Sequence, residues 1–97
     1  MKDDEQAFEW YLKSAKGGDE NGQYKVGYYY QKGIGIVKDD EKAFEWFLKS
    51  AKNGNSKAQF IVAVCFMHGV GTKKHIVESI MWFQKAKRDK IYEENNT

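Results

Sequence analysis

One cysteine and two histidines are the side chains of this sequence best suited to bind a metal ion. Cys65 and His68 lie three residues apart, which places them on one face of a helix, and His75 follows seven residues later. Thiolate and imidazole are typical zinc ligands, but a closed structural zinc site takes about four ligands, and no fourth is evident. We therefore expect no metal and no cofactor, and we interpret Cys65 as an ordinary buried or half-buried thiol.

Two glycine pairs resemble loops that bind phosphate. Such loops follow a strand and lead into the N-terminus of a helix that points at the phosphate. Gly33-x-Gly35 and Gly69-x-Gly71 instead follow predicted helices, and they recur 36 residues apart. We therefore predict that both pairs form turns between helices.

Acidic side chains occur in groups that general acid–base catalysis could use. Asp39, Asp40 and Glu41 are adjacent, but they lie at the start of a predicted helix, where negative charge is favourable for electrostatic reasons alone. Glu9 and Glu45 fall on polar helix faces, with no partner base near them in the sequence pattern. We predict no catalytic residues and a protein that is not an enzyme.

A basic cluster follows the last tryptophan and could bind an acidic partner or phosphates. It consists of Lys85, Lys87, Arg88 and Lys90. Basic residues near the C-terminus of a helix also interact favourably with the helix dipole, which is the simpler interpretation. The chain has 16 basic and 14 acidic residues and a formal net charge of +2, so we expect no nucleic-acid partner.

The sequence gives no sign of a membrane-spanning or secretory segment. Its longest apolar run covers residues 60–67, far short of the ~20 residues that span a bilayer. The first five residues, from Met1 to Glu5, lack the apolar region of a signal peptide. A single cysteine excludes an intramolecular disulfide and suits a reducing compartment. We therefore expect a soluble cytoplasmic protein without a membrane partner.

The segments that carry these residues repeat with a fixed period. Trp10, Trp46 and Trp82 are spaced by 36 residues, and the segments 3–18 and 39–54 are nearly identical around the first two tryptophans. A third, more divergent copy surrounds Trp82. A fixed period of roughly 20–50 residues is typical of stacked repeats.

Apolar periodicity, acidic helix starts and glycine-containing ends predict five helices. Their approximate ranges are 3–17, 20–32, 39–53, 56–68 and 76–90. We predict one repeat domain over residues 1–92 and a disordered tail over 93–97. Short connections make neighbouring helices antiparallel, so the sequence predicts an all-α solenoid.

The repeat resembles the Sel-1-like repeats, which are relatives of the tetratricopeptide repeats. In the first full unit the matching residues include Gly22, Val26, Gly27, Tyr30, Gly33, Gly35, Asp39, Ala43, Trp46 and Phe47. The next unit matches from Ala58 to Gly71, departs at 75–79 and matches again at Trp82 and Phe83. The resemblance implies a right-handed α/α superhelix of antiparallel helix pairs, which acts as a non-catalytic adaptor in protein assemblies.

The resemblance also implies that one helix of each pair lines a concave groove. The residues on that face are Tyr24, Tyr28, Gln31, Phe60, Val64 and Met67. We predict that they bind a protein or peptide, because an exposed strip of aromatic and aliphatic side chains is typical of an interface. The same strip could instead be packed within the fold or against a second copy, since stripes at helical spacing usually form a core.

The start of the chain suggests an alternative function. The first predicted helix has no helix before it to pair with, which leaves part of the Phe8, Trp10 and Tyr11 face uncovered. About three repeats are needed for a stable stack, and the chain has barely that number. The alternative is a self-associating segment of a longer repeat array, forming a homo-oligomer or serving as an accessory module of a catalytic protein.

Overall fold

The computed structural model describes residues 2–96 and contains five α-helices. They are α1 (Lys2–Lys16), α2 (Glu20–Lys32), α3 (Asp40–Lys52), α4 (Ser56–His68) and α5 (Ile76–Asn95). No strand occurs in this part of the chain, and each helix packs against the next one in sequence. The predicted all-α fold with five helices is confirmed.

Side chains just before the helices fix where three of them begin. Asp19, Asp39 and Asn55 precede α2, α3 and α4, and each accepts a hydrogen bond from a backbone N–H in the first turn. Such caps satisfy N–H groups that have no partner within the helix. His75 precedes α5 and makes no side-chain capping bond, so the divergence at this residue removes a cap of the kind that α2, α3 and α4 have.

The loop after α2 packs over the start of α1, and the loop after α4 packs over the start of α3. Gly35 and Gly71 adopt φ angles of 68° and 71°. A Cβ atom at Gly35 would overlap the main chain of Asp4, and one at Gly71 would overlap that of Asp40. Glycine is suited to both the positive φ and the close approach. The turns predicted at the two glycine pairs are confirmed, and they hold successive helices together.

The core consists of two clusters that follow the repeat. Phe8, Ala15 and Val26 form the buried part of the cluster between α1 and α2. A second cluster between α3 and α4 is centred on Phe47, which is 1% exposed. The Phe47 ring also contacts α2 so closely that a Cβ at Gly27 would lie only 2.8 Å from it.

The three tryptophans of the repeat differ in their surroundings. Trp46 packs against the cluster between α1 and α2, and Trp82 packs against the cluster between α3 and α4. Trp10 is 68% exposed, and the described residues contain no cluster before α1 on which it could pack. Phe8 and Tyr11, which were expected to share this uncovered face, instead pack on α2. The exposed part of the first helix is therefore centred on Trp10.

The last helix is longer than the sequence predicts. We expected it to end near residue 90, followed by a disordered tail over 93–97, but α5 continues to Asn95; Thr97, the last residue of that expected tail, lies outside the described residues. The physical reason is contact with α4, since Ser56 Oγ donates to Glu93 Oε2 at 3.3 Å. Asn96 Nδ2 then donates to the carbonyl oxygen of Tyr92 at 2.8 Å. Among the described residues, no helix combines the length and apolar character needed to cross a membrane.

Candidate functional site

A groove of about 810 Å³ lies between α4 and the second half of α5. Its apolar lining is formed by Tyr24, Phe60, Ile61, Phe83 and Ala86. Polar and charged residues complete it: Ser56, Lys57, Lys87, Lys90, Glu93 and Glu94. We call this site the α4–α5 groove.

The aromatic floor of the groove results from the repeat itself. Phe60 and Phe83 make an edge-on contact with ring centroids 5.3 Å apart. The equivalent pair one repeat earlier, Tyr24 and Phe47, has centroids 5.8 Å apart. Tyr24 is half-buried, whereas its 36-residue equivalent Phe60 is 54% exposed. The groove therefore presents an aromatic surface to solvent.

The wall of the groove depends on two hydrogen bonds between α4 and α5. The buried side chain of Gln59 donates from Nε2 to Asp89 Oδ2 at 2.8 Å. Ser56 donates to Glu93 one turn further along α5. These bonds hold the second half of α5 beside the start of α4, and the apolar lining lies between them.

The rim of the groove is mainly basic. Lys57 lies on one wall, Lys87 and Lys90 lie on the other, and all three are exposed. Glu93 and Glu94 add negative charge at the end of the groove near Ser56. The arrangement suits a ligand that has an apolar side chain for the floor and acidic groups for the lysines.

The basic cluster Lys85, Lys87, Arg88 and Lys90 does not lie in the last turn of α5, where we expected it. We interpreted these residues as favourable for the C-terminal dipole of the last helix, and this interpretation is wrong. The helix continues to Asn95, and its last turn contains no basic residue. Lys85 instead pairs with Asp89 at 3.5 Å, while Lys87 and Lys90 line the groove.

The six residues predicted to bind a partner do not all lie in the α4–α5 groove. Tyr24 and Phe60 line the α4–α5 groove, whereas the other four lie outside its lining. Tyr28 and Met67 are exposed and Val64 is half-buried. Gln31 is half-buried, and its carbonyl oxygen accepts a hydrogen bond from Lys38 Nζ at 3.0 Å.

Sequence reasoning missed the part of the groove that α5 contributes. Phe83 and Ala86 lie on the second helix of their pair, and our prediction considered only the first helix. Phe83 is the 36-residue equivalent of the core residue Phe47, so the repeat alone indicated a buried role. No sequence signal distinguishes Phe83 from Phe47, since both are phenylalanines at the same position of the repeat.

The residues considered for metal binding are separated in the structure. Cys65 is buried between helices, His68 is exposed, and the His75 ring packs on Phe66 with centroids 5.9 Å apart. In the described part of the chain, no three His, Cys, Asp or Glu side chains are grouped to hold a metal ion. Burial, with a smaller effect of the Asp40 carboxylate, raises the pKa of the Cys65 thiol above its ordinary value of 9.0.

The acidic residues considered for catalysis have structural roles or face solvent. Asp39 accepts a hydrogen bond from the backbone N–H of Lys42 at 3.0 Å and so caps α3. Asp40 forms an ion pair with Lys38 at 2.8 Å. Glu9 and Glu45 are exposed on their helices. None of these groups lines the α4–α5 groove, and Asp39, Asp40 and Glu41 lie together in a second, separate groove beside Gly69 and Gly71.

The repeat spacing, the glycine turns and the stacked clusters can be compared with known families. The sequence profile of the Sel1 repeat matches residues 1–19, 21–55 and 56–89. The chain belongs to the Sel1 repeat family. Sel1 repeats commonly act as protein–protein interaction scaffolds and are typically non-catalytic. No curated protein sequence is similar enough to the chain to count as a match.

Solved Sel1-repeat structures share the fold. A Sel1 repeat protein from Oxalobacter formigenes is 34% identical, with a TM-score of 0.86 over 88% of this chain. A protective antigen of uropathogenic Escherichia coli with an SLR fold is 28% identical, with a TM-score of 0.84 over 87% of the chain. The cysteine-rich protein B of Helicobacter pylori is 24% identical, again with a TM-score of 0.84 over 87%, and shows the fold alone.

The chain spans only part of these relatives. It covers 35% of the Oxalobacter protein, 18% of the Escherichia coli antigen and 63% of the Helicobacter protein. The shared feature is therefore the stacked Sel1 repeat, which is present here in three matched segments.

Proposed function

We propose that this Sel1-repeat chain is a non-catalytic adaptor that binds a peptide or protein segment in the α4–α5 groove. The observation that carries the proposal is the exposed aromatic floor. Phe60 is 54% exposed although it packs on Phe83, so a binding partner would remove apolar surface from water at a preorganised site.

The groove has the features of an interaction hot spot. Hot spots are typically large side chains at the centre of a patch, surrounded by residues that exclude water. Phe60 and Phe83 occupy the floor, and Lys57, Lys87 and Lys90 surround them. We propose that an apolar side chain of the partner packs on the two rings while acidic groups approach the lysines.

The six residues predicted from the sequence to bind a partner suggest how far a bound partner extends along the helices. Tyr24 and Phe60 belong to the groove itself. Tyr28 and Met67 are exposed further along α2 and α4, and Gln31 and Val64 are half-buried near them. We propose that a longer partner continues over these four residues along the concave helix face.

A peptide library provides the test, because the partner is unidentified. Random 12-residue peptides displayed on phage are selected on the wild-type chain, and the affinities of synthetic copies are measured by fluorescence anisotropy. Phe60→Ala should weaken the selected peptides at least about tenfold, in the range expected for a hot spot. Val37→Ala is the matched control, since Val37 is apolar and 83% exposed but lies outside the groove lining.

Two results would refute the groove as the binding site. Equal affinities of wild type and Phe60→Ala would place the peptides elsewhere, provided that circular dichroism shows an unchanged helix content. Equal losses in Phe60→Ala and Val37→Ala would indicate nonspecific binding to exposed apolar side chains. If Tyr28→Ala or Met67→Ala also weakens binding, the partner extends along α2 and α4 as proposed.

A second candidate function is self-association, as a homo-oligomer or as a segment of a longer array. Trp10 on α1 is 68% exposed, and Met81 on α5 is 62% exposed. Large apolar side chains at both ends of a stack favour contact with further protein at those ends. This candidate predicts a mass that rises with protein concentration.

We also propose that the protein acts in the cytoplasm. Its single cysteine is buried and unpaired, which suits a reducing compartment better than an oxidising one. Fractionation of cells that express the tagged full-length protein tests this proposal. Recovery of the protein outside the cytoplasm would refute it.

A further inference from the structure

The outer surface of α5 differs from that of the equivalent helix one repeat earlier. Val77 and Met81 occupy the positions of Glu41 and Glu45 in α3. They are 71% and 62% exposed, so the substitution places apolar side chains where the earlier copy has carboxylates. Ile76 and Ile80 beside them are also about half exposed.

This surface is poorly suited to stack a further repeat helix. In α3, Ala51 is fully buried against α4, and Phe44 packs on Phe66 with centroids 5.2 Å apart. In α5 the equivalent of Ala51 is Lys87, which is exposed. A helix packed on α5 in the same way would bury the Lys87 ammonium, and burying an unpaired charge is costly.

At the other end of the stack, α1 carries an exposed aromatic residue between two charges. Asp3, Trp10 and Lys13 are spaced by seven and then three residues, which places them on one face of the helix. All three are exposed. The face thus has an acidic group, a large apolar group and a basic group in that order along the helix.

One face of α5 also carries an acidic, an apolar and a basic side chain, and their spacing is the reverse of that on α1. Glu78, Met81 and Arg88 are spaced by three and then seven residues, and all are exposed. In an antiparallel pair of α1 and α5, the reversed spacing brings Trp10 onto Met81. The same register brings Asp3 to Arg88 and Lys13 to Glu78, so both charge pairs are attractive.

These charges are available for such contacts. In the described part of the chain, the ion pairs are Lys38–Asp40 and Lys85–Asp89. Neither includes a charged residue of the two end faces. Pairing across the ends would therefore add attractive charge contacts without breaking an ion pair of the monomer.

We propose that the chain assembles head to tail, with the face Asp3, Trp10 and Lys13 of one copy bound to the face Glu78, Met81 and Arg88 of a second copy. The inference rests on the second candidate function and specifies its interface. Because the two faces differ, each added copy leaves one of each kind free, and an open chain of copies results. None of the six residues of the two faces lines the α4–α5 groove.

Two variants, each with one altered end, provide the central test. Trp10→Ala removes the apolar group of the α1 face. Met81→Glu places on the α5 face the carboxylate that Glu9 and Glu45 provide in the earlier copies, so the fold should tolerate it. Multi-angle light scattering after size exclusion should show a wild-type mass that rises over a hundredfold concentration range. Each variant alone should remain a monomer.

Mixing the variants separates head-to-tail contact from symmetric pairing. Trp10→Ala retains an intact α5 face and Met81→Glu retains an intact α1 face, so the mixture should form a one-to-one dimer and nothing larger. Arg88→Asp should weaken wild-type assembly at least about tenfold, and adding Asp3→Arg in the same chain should restore it. Val37→Glu is the control, because it places the same charge on an exposed residue outside both faces.

The possible failures have different meanings. A wild-type chain that stays monomeric at every concentration would refute this inference together with the second candidate function. A wild-type oligomer that neither end variant affects would refute this inference alone, since the contact would then involve another surface. Two monomeric variants that do not combine when mixed would overturn the head-to-tail arrangement in favour of a symmetric one.

Discussion

Replacing Gly71 by alanine should weaken the contact between the loop after α4 and the start of α3. Gly71 has a φ of 71°, and an added Cβ would overlap the main-chain oxygen of Asp40. It would also lie 2.8 Å from the Asp40 carbonyl carbon and 3.0 Å from Phe44 Cβ. These neighbours belong to backbone and core, so the loop itself must move.

Two effects reduce the stability of Gly71→Ala: the strain of a positive φ in alanine and the overlap of the new Cβ with its neighbours. Gly54→Ala serves as the comparison, because it has the first effect without the second. Gly54 also has a positive φ, of 96°, but a Cβ there would meet nothing within 4 Å. A left-handed conformation costs alanine about 1–2 kcal/mol, partly offset by about 0.4–1 kcal/mol from the reduced entropy of the unfolded chain. Gly54→Ala should therefore destabilise by about 1 kcal/mol. Gly71→Ala should reduce the free energy of unfolding by an additional ~1–3 kcal/mol, because overpacking typically costs that much.

Thermal unfolding followed by far-ultraviolet circular dichroism measures the difference. For a domain of this size, 1 kcal/mol corresponds to roughly 4–8 °C in Tm. Gly71→Ala should therefore melt at least about 4 °C below Gly54→Ala. Equal melting temperatures would refute the contact between this loop and α3, since both variants share the backbone cost.

Two further predictions concern buried polar groups between the helices. Gln59 donates from Nε2 to the carbonyl oxygen of Ala51 at 3.1 Å and to Asp89 Oδ2, whereas its buried Oε1 has no hydrogen-bond partner in the described structure. Gln59→Leu removes both bonds together with the unpaired oxygen, so it should reduce the free energy of unfolding in urea by about 1 kcal/mol, the lower end of the range for a lost buried bond. An unchanged value would contradict these bonds. The raised pKa of Cys65 means that the folded state holds the thiol proton more tightly. The contribution of Cys65 to the free energy of unfolding should therefore be constant below pH 9.0 and be lost above it. Cys65→Ala should reduce the fall in stability above pH 9.0, and an identical pH profile would exclude this contribution.

The repeat made the helices and their stacking predictable from the sequence. The contacts of Trp46 and Trp82 follow directly from their 36-residue spacing, since equivalent positions meet equivalent neighbours. The Gly-x-Gly turns were predictable for the same reason. The end of α5 could not be predicted from the sequence, because the polar residues after Tyr92 carry no local helix signal. Their position depends on contact with α4, where Ser56 donates a hydrogen bond to Glu93.

The groove was only partly predictable, because its shape depends on the length of α5. Tyr24 and Phe60 were identified from their helix face, and the structure places both in the lining. Phe83 resembled a core residue in the sequence, and its place in the groove depends on how far α5 extends beside α4. Curvature and helix length are properties of the whole stack, and a single repeat unit does not encode them.

The packing of each helix on its neighbour in sequence has a consequence for how such a chain folds and evolves. In the described residues, the side-chain hydrogen bonds between helices join positions at most 37 residues apart, as in the bond from Ser56 to Glu93. Short separations close small loops, which favours rapid folding. They also mean that each 36-residue segment packs only on its immediate neighbours, so gene duplication can lengthen the protein by whole units without redesign of an existing core.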